Sequence, residues 1–197
     1  LHPGYMQVEL VAARPLTETI RELTFKRVDS DAFPFFRAGQ YVSLQMKIGG
    51  SVVSRPYSIV STPQQALENK LVLAVENAGF VSEYLNKSAK VGDRFVMTEP
   101  SGEFHYETLR DSKDIICIAG GSGITPFLSM AGSMADGDES YSMLLFYGAR
   151  TAAQLAYKAE LDALAERCKG LKVVYVLSDE EQPGCEKGFV SAELMKK

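Results

Sequence analysis

The chain has 197 residues, of which 46% are hydrophobic and 23% charged, a composition typical of a soluble protein of one or two domains. Its formal net charge of −4 argues against nucleic acid as the main partner, because phosphate backbones attract basic surfaces. No run of about 18 apolar residues occurs, so we expect no membrane-spanning helix.

Cysteine and histidine are few and widely separated. The three cysteines, Cys117, Cys168 and Cys185, have neither the number nor the spacing of a disulfide framework or an iron–sulfur site. His2 and His105 are too few for a histidine-based metal site or a catalytic triad. We therefore predict no metal site and a reducing, cytoplasmic setting.

The first half of the chain has the pattern of short strands separated by glycine- and proline-containing turns. Val, Ile, Leu and Tyr are frequent in these segments, and several of them alternate with polar residues. The predicted strands are Met6–Ala13, Ile20–Lys26, Tyr41–Ile48, Val52–Val60, Lys70–Glu76 and Arg94–Thr98, with one helix inserted at about Val81–Lys87. Many short strands with such turns predict an antiparallel barrel or sandwich.

The pattern changes near residues 108–113. Ile115–Ala119 is a continuous apolar run, which predicts a strand buried on both faces. Helices and strands then alternate: a helix at 125–134, a strand at 143–147, a helix at 153–168, a strand at 171–177 and a helix starting at Ser191. This alternation predicts a parallel sheet. We therefore predict two domains, a β domain over residues 1–108 and an α/β domain of nucleotide-binding type over residues 109–197.

A cation, a rigid kink, an amphipathic ring and a hydroxyl stand together at Arg55, Pro56, Tyr57 and Ser58. In a strand, alternation places Arg55 and Tyr57 on one face. Arginine can make two parallel hydrogen bonds to a phosphate, and a tyrosine ring offers a flat face for stacking. The pair suits a ligand with a phosphate at one end and a flat heterocycle at the other. The alternative is an edge strand with an exposed arginine and a core tyrosine.

Two glycine-containing stretches precede predicted helices. In residues 120–126, Gly-Gly-Ser-Gly-Ile-Thr-Pro, the glycines allow close approach to the backbone, and the helix start offers free N–H groups to a pyrophosphate. Thr125 is the predicted N-cap, and Pro126 fits the first helical turn. At Gly79–Ser82, the amide groups and the Ser82 hydroxyl form a second candidate anion site. The alternative for each stretch is a turn or cap without a ligand.

Five motifs follow one another along nearly the whole chain: Arg-x-Tyr-Ser at 55–58, Gly-x-x-Ser at 79–82, Gly-x-Phe at 102–104, Gly-Gly-Ser-Gly-Ile-Thr-Pro at 120–126 and Tyr-Gly-Ala-Arg at 147–150. In this order they resemble the ferredoxin–NADP reductase superfamily. The resemblance implies an antiparallel Greek-key barrel that binds FAD, with FMN less expected. It also implies a following parallel-sheet, Rossmann-like domain that binds a nicotinamide dinucleotide.

The resemblance also implies roles for individual residues. Arg55 would hold a flavin phosphate, Tyr57 would stack on the flavin ring, and Ser58 would hydrogen-bond near its N5. The remaining implied flavin contacts are Pro56, Gly79, Val81 and Ser82, with Val75 and Glu76 near the ring or the ribityl chain. The implied nicotinamide and pyrophosphate contacts are Gly120, Gly121, Gly123, Thr125 and Pro126, with Arg150, Ser178 and Asp179 near the adenosine ribose.

The implied reaction moves a hydride from the nicotinamide to the flavin, which then releases single electrons to an iron–sulfur partner such as a [2Fe-2S] ferredoxin. Since the cofactor carries this chemistry, Ser58 is the side chain closest to a catalytic role. Two alternatives remain at this stage. One is a non-catalytic flavin-holding or interaction module, and the other is a small-ligand barrel fused to an unrelated α/β domain.

The choice between NADH and NADPH depends on the residues after the strand at 171–177. Asp179 there would hydrogen-bond a free ribose 2′-OH and repel a 2′-phosphate, which predicts a preference for NADH. Members of the resembled family that use NADPH tend to carry arginine next to the residue that matches Ser178. Arg150 argues for the opposite choice, since it could reach a phosphate.

The resemblance further predicts elements after residues 188–197, namely a strand ending in a Cys-Gly pair and a last strand, and this sequence does not contain them. Without a neighbour, the strand at Ile115–Ala119 has an open edge, which invites aggregation. Either the α/β domain is truncated from a longer polypeptide, which is the alternative that we favour, or another segment or subunit covers this edge.

Overall fold

A computed structural model describes residues 4–196; the outermost positions of the two predicted domains, 1–3 and 197, lie outside the described residues. Its first part contains strands β1 (Tyr5–Pro15), β2 (Ile20–Arg27), β3 (Tyr41–Ile48), β4 (Ser51–Ser58), β5 (Leu71–Glu76) and β6 (Arg94–Thr98). All neighbours pair antiparallel in the order β4-β3-β6-β1-β2-β5. The predicted antiparallel β domain is confirmed.

The six-stranded sheet curls until its two outer strands approach each other. Just after β4, Ile59 forms an antiparallel bridge with Leu73 of β5. Alternate residues face the enclosed core, as Met6, Val8 and Leu10 of β1 illustrate, each with 0% exposure. Burying such side chains contributes roughly 1.5–3 kcal/mol each, so this alternation determines which face of the sheet turns inward.

Two short helices connect the barrel strands. The first, α1 (Pro63–Leu67), follows Thr62, whose hydroxyl accepts a hydrogen bond from the Gln65 N–H while the Gln65 side chain accepts one from the Thr62 N–H. The sequence Ser61-Thr62-Pro63 predicts only a turn here, because the five residues of α1 are too few to display a helical period. The second helix, α2 (Phe80–Lys87), begins one residue before its predicted start.

The second part of the chain is an α/β unit. Its strands are β7 (Asp114–Gly120), β8 (Ser142–Ala149), β9 (Leu171–Leu177) and β10 (Cys185–Lys187), all parallel in the order β10-β9-β8-β7. Its helices are α3 (Thr125–Asp136), α4 (Lys158–Arg167) and α5 (Ala192–Met195). The predicted parallel sheet is confirmed. The short β10 was not predicted, because its polar sequence gives no strand signal.

β7 is not buried on both faces, so that prediction is wrong. Ile116 is 60% exposed and Ile118 is 54% exposed, whereas Cys117 and Ala119 are buried against α3 and the rest of the core. Within residues 4–196, β7 pairs with β8 alone and is the outer strand of its sheet. The apolar run therefore reflects a sheet face that nothing in the described part of the chain covers.

Two further local predictions are wrong. The helix predicted at 153–168 is shorter: a 3-10 turn at Ala152–Gln154 comes first, and α4 begins only after Tyr157, whose φ of 61° is left-handed. Apolar residues continue at helical spacing through this break, so periodicity did not reveal it. The sequence of residues 99–104 predicts a turn with Phe104 packed inward, but this side chain is 56% exposed, and its ring meets Phe127 of α3 edge to face at 5.6 Å.

Two buried apolar clusters form the interior, one inside the barrel and one that spans the boundary between the barrel and the α/β unit. Ile20, Val60 and Val72 of the barrel belong to the same buried cluster as the interior of the α/β unit. At this boundary the Ser129 hydroxyl of α3 donates a hydrogen bond to the Ser61 carbonyl at 2.7 Å. Because buried packing is dense, this boundary fixes the position of the β5 end relative to the start of α3.

Candidate functional site

The Arg55–Ser58 stretch lies on β4, at the edge of the barrel sheet and beside the start of α2. Arg55 and Tyr57 line one groove, as strand alternation predicts, and Pro56 lines it as well. Its volume is about 380 Å³, and its other lining residues are Val53, Glu76, Ala78, Gly79, Phe80, Val81 and Ser82. We refer to this feature as the β4–α2 groove. It brings together two motifs that lie more than twenty residues apart in the sequence.

Arg55 and Tyr57 present a cation and an aromatic ring to the groove. Arg55 is exposed, and its guanidinium donates one hydrogen bond to the Ser54 carbonyl at 2.8 Å. Tyr57 is half-buried against the barrel core, and this burial raises the pKa of its phenol, while the nearby Arg55 charge lowers it in part. The arrangement suits a ligand that combines an anionic group with a flat ring.

The start of α2 differs from the prediction in the use of its hydroxyl. The Ser82 side chain accepts hydrogen bonds from the Ala78 and Gly79 N–H groups, both at 2.9 Å, and donates one to the Gly79 carbonyl at 2.8 Å. Ser82 therefore caps its own helix. The backbone amides of the first helical turn, such as those of Phe80 and Val81, are the groups of α2 that remain available to an anion.

Ser58 and Val75 lie beside the groove but do not line it. Ser58 is half-buried and pairs with Tyr41 of β3. Val75 has 0% exposure in the barrel core, so only its backbone is available to a ligand. Its neighbour Glu76 ends β5, is half-buried and lines the groove.

The glycine loop, residues 120–126, joins the end of β7 to the start of α3. Gly121–Ile124 forms a 3-10 turn, and Gly121 adopts a φ of 52°, a left-handed conformation that favours glycine. Two hydroxyls hold the turn: Tyr147 donates to the Gly121 carbonyl at 3.2 Å, and Thr125 donates to the Ser122 carbonyl at 3.0 Å. These hydrogen bonds engage two carbonyl groups of the loop, those of Gly121 and Ser122.

The predicted N-cap at Thr125 is wrong. The N-cap position belongs to Ile124, which has helical backbone angles, because the 3-10 turn runs directly into α3. Pro126 lies in the first turn of α3, as predicted. Gly120 and Gly123 are both exposed, and a Cβ placed on Gly123 would meet nothing within 4 Å, so the backbone there is open to a ligand.

A contact between Glu76 of the barrel and Ser122 of the glycine loop was not predicted. Oε2 of Glu76 accepts a hydrogen bond from the Ser122 hydroxyl at 2.6 Å and a longer one from the Ser122 N–H at 3.3 Å. The resemblance placed Glu76 near a flavin ring but gave no partner for it. The two residues are 46 positions apart, and nothing in their local patterns signals the contact.

The end of β9 brings Ser178, Asp179 and Arg150 together. The Arg150 guanidinium donates to one Asp179 oxygen at 2.7 Å, and the Ser178 hydroxyl donates to the other at 2.6 Å. These hydrogen bonds, led by that from Ser178, hold the pKa of Asp179 below its usual range. Arg150 and Asp179, which argued for opposite cofactors in the sequence, therefore form one ion pair.

Neither a metal-binding cluster nor a membrane-spanning helix is found among residues 4–196. No group of three or more His, Cys, Asp or Glu side chains that could hold a metal ion occurs among these residues. In the same part of the chain, no helix has the length and apolar character needed to cross a membrane.

Two protein-family profiles match this chain. Residues 7–106 match the oxidoreductase FAD-binding domain, and residues 117–197 match the oxidoreductase NAD-binding domain. The first match contains the β4–α2 groove, and the second contains the glycine loop and the end of β9. Together they cover nearly the whole chain.

Curated relatives are similar over most of this chain. Ferredoxin–NADP reductase B of Sorangium cellulosum is 33% identical over 87% of this chain and 69% of the relative. The reductase component of propane 2-monooxygenase from Mycolicibacterium goodii is 32% identical over 95% of this chain and 53% of the relative. The carnitine monooxygenase reductase subunit of Escherichia coli is 31% identical over 79% of this chain and 47% of the relative. This chain thus spans about half the length of several relatives that it matches.

Solved structures have the same fold. Amycolatopsis cytochrome P450 reductase GcoB has a TM-score of 0.84 and 27% identity, and the match covers all of this chain and 59% of that one. The FAD- and NAD-binding domain of nitric oxide dioxygenase from Vibrio cholerae also has a TM-score of 0.84, at 21% identity, over 96% of this chain and 81% of that one. The two-part arrangement of barrel and parallel sheet is shared with both.

Proposed function

We propose that this chain, which belongs to the ferredoxin–NADP reductase superfamily, holds FAD and a nicotinamide dinucleotide as part of an electron-transfer reductase. In that role it passes a hydride from NADH to FAD and single electrons on to an iron–sulfur acceptor. The observation that carries the proposal is the β4–α2 groove, where Arg55, Tyr57 and the start of α2 meet. Family membership supports the class of reaction, and the groove supports the location of the FAD site.

The residues present fit FAD. The Arg55 guanidinium and the first amides of α2 are donors of the kind that bind phosphates, and the Tyr57 ring is a flat partner for a heterocycle. A Cβ on Gly79 would have nothing within 4 Å, so the groove is open beside that backbone. The groove volume of about 380 Å³ lies within the range of roughly 300–1,000 Å³ found for small-molecule sites.

Bound FAD would accept a hydride and give up electrons one at a time, and the protein supplies alignment and electrostatics. Tyr57 would orient the ring, Arg55 would hold a phosphate, and the Ser58 hydroxyl beside them would offer a hydrogen bond. The glycine loop would line the path of the nicotinamide and the pyrophosphate. In this proposal no side chain acts as a nucleophile, which agrees with the scarcity of histidine.

We propose NADH as the preferred donor. Asp179 accepts hydrogen bonds from both Ser178 and Arg150, so its carboxylate is fixed where a ribose is expected. A 2′-phosphate would have to approach this carboxylate and compete with it for Arg150. The measurement is the ratio of kcat/KM for the two donors, and a preference for NADPH of more than about tenfold, or 1.4 kcal/mol, contradicts this proposal.

Several relatives are named as reductase or electron transfer components of oxygenases, including the electron transfer component of anthranilate 1,2-dioxygenase from Acinetobacter baylyi. This supports a one-electron acceptor of the [2Fe-2S] ferredoxin type, as a separate protein or a linked domain. The cysteines Cys117, Cys168 and Cys185 are all free, which supports a reducing cytoplasmic setting.

The experiment is an absorption spectrum of the purified protein, recorded anaerobically before and after addition of NADH. We expect a yellow protein that bleaches with NADH, and we expect the released flavin to be FAD. The double variant Arg55→Ala/Tyr57→Ala is expected to lose most of its flavin affinity while remaining folded. Unchanged flavin affinity in this variant would remove the basis of the proposal.

A second candidate is a flavin-holding or interaction module without turnover. It is favoured by the uncovered β7 face, where Ile116 and Ile118 are more than half exposed. We propose that a partner segment covers this edge in the working protein. A yellow protein that NADH does not bleach would favour the second candidate. A stable monomer in solution with the β7 edge uncovered would contradict the proposal that a partner segment covers it.

A further inference from the structure

One carboxylate lies at the junction of the β4–α2 groove and the glycine loop. Glu76 lines the groove from the barrel side, and its Oε2 accepts both hydrogen bonds from Ser122 of the loop. The same oxygen is 3.4 Å from the position that a Cβ on Gly121 would occupy. The Glu76 carboxylate therefore sits directly against the turn that begins the candidate nicotinamide site.

This carboxylate changes which part of a dinucleotide the loop can accept. The Ser122 N–H and O–H are donors of the kind that a phosphate would use, and Glu76 already occupies both. A carboxylate also repels a phosphate and attracts a cation. In a nicotinamide dinucleotide the pyrophosphate is anionic, while the oxidised nicotinamide ring is cationic. The Ser122 end of the loop therefore suits the nicotinamide ring and disfavours the pyrophosphate.

The charges around the site agree with this polarity. Among the residues that line the groove, Arg55 is the cation and Glu76 is the anion. The nearby Tyr147 phenol adds no charge, because burial raises its pKa. The groove thus offers a cation for a phosphate and, separately, an anion for a positively charged ring.

We infer, resting on the proposed function, that Glu76 is a specificity-determining residue. It directs the nicotinamide end of the dinucleotide toward the groove and binds the oxidised, cationic ring more tightly than the reduced, uncharged ring. The hydrogen bonds that it accepts from Ser122 fix the position of the carboxylate relative to the glycine loop.

The test uses equilibrium binding to the FAD-loaded protein, measured by titration calorimetry. The two ligands are NAD⁺ and 1,4,5,6-tetrahydro-NAD, an analogue that has an uncharged ring and does not reduce the flavin. Glu76→Gln removes the charge and retains an oxygen for the Ser122 hydrogen bonds. We expect its affinity for NAD⁺ to fall about fivefold and its affinity for the analogue to fall less than about twofold.

Two control variants separate charge from shape. Ser122→Ala loosens the loop but keeps the carboxylate, so the ratio of the two affinities is expected to stay near that of the wild type. Glu18→Gln removes an exposed carboxylate in the turn between β1 and β2 and is expected to change neither affinity. Glu76→Ala, read by the same titrations, replaces Glu76→Gln if that variant does not fold.

Equal losses for both ligands in Glu76→Gln, or no loss for either, would overturn the assignment while leaving the proposed function intact. A wild-type protein that takes up no FAD, or that binds neither ligand when loaded, would overturn the proposed function and this assignment with it. The two failures are therefore distinguishable in a single series of titrations.

Discussion

Arg55 and Asp179 carry opposite charges at two positions where a phosphate group of a ligand could lie. The cation would bind a phosphate, and the carboxylate would repel one. Arg55 is exposed on an edge strand and donates one hydrogen bond within the protein, to the Ser54 carbonyl. Asp179 is fixed by two donors. A fork of N–H groups binds an anion, whereas a held carboxylate excludes one. These two side chains therefore give the most direct tests of the two candidate cofactor sites.

Arg55→Ala is expected to weaken FAD binding roughly 10- to 100-fold, because hydrogen bonds to a charged group contribute about 1.5–3 kcal/mol. Arg55→Lys keeps the positive charge but lacks the forked guanidinium, so its FAD affinity is expected to lie between those of the wild type and Arg55→Ala. Fluorescence titration of the apoprotein with FAD measures these affinities. Arg94→Ala is the matched control, since it removes another exposed arginine, from β6. Equal effects at positions 55 and 94 would indicate that only net charge matters.

Asp179→Asn is expected to shift the kcat/KM ratio toward NADPH by about tenfold, because it removes the repelling charge and releases Arg150 from its ion pair. Glu181→Gln removes a neighbouring exposed carboxylate and serves as its control. Steady-state rates with each donor provide the measurement. If the kcat/KM ratio for NADPH over NADH changes equally in both variants, Asp179 acts only through the net negative charge of this surface.

At the scale of elements, helix α3 packs closely against Thr62 at the start of α1. A Cβ on Gly132 of α3 would lie 2.4 Å from the Thr62 methyl group, far inside van der Waals contact. Alanine is favoured over glycine in a helix by about 1 kcal/mol, so helix propensity and this clash oppose each other. Since Thr62 is held by its capping hydrogen bonds, we expect the clash to dominate.

Gly132→Ala is therefore expected to lower the free energy of unfolding by about 1–2 kcal/mol, the usual cost of overpacking a well-packed site. The double variant Gly132→Ala/Thr62→Ser removes the clashing methyl but keeps the capping hydroxyl, and it is expected to recover most of the loss. Urea unfolding followed by circular dichroism gives these values. A stabilised single variant would mean that α3 moves away from α1 at little cost.

The sequence predicted elements well where a long period or an apolar run marked them. The strands at Tyr41–Ile48, Arg94–Thr98 and Leu171–Leu177 have the predicted bounds. Prediction failed where tertiary context decides, as at Ile116, whose exposure depends on what lies against the sheet. The same limit applies to the site: the alternation of Arg55 and Tyr57 was predictable, but the contact between Glu76 and Ser122 exists only because the barrel and the α/β unit pack together.

At the scale of the whole molecule, the boundary between the barrel and the α/β unit has an exposed and a buried component. On the surface, Arg14 of β1 bonds both Glu22 of β2 and Glu160 of α4. Inside, the Ser129 hydroxyl has 0% exposure and donates to the Ser61 carbonyl within the shared apolar core. Exposed ion pairs contribute about 0–1 kcal/mol, whereas a lost buried partner costs about 1–3 kcal/mol.

The buried component should therefore dominate. Ser129→Ala is expected to lower the free energy of unfolding by about 1–3 kcal/mol, and Glu160→Gln by about 0.5 kcal/mol or less. Because one apolar cluster spans both parts, the wild type is expected to unfold in one transition, with far-ultraviolet circular dichroism and tyrosine fluorescence giving the same midpoint. Two separate transitions, or a larger loss in Glu160→Gln than in Ser129→Ala, would mean that surface charge rather than the shared core holds the nicotinamide half against the flavin half.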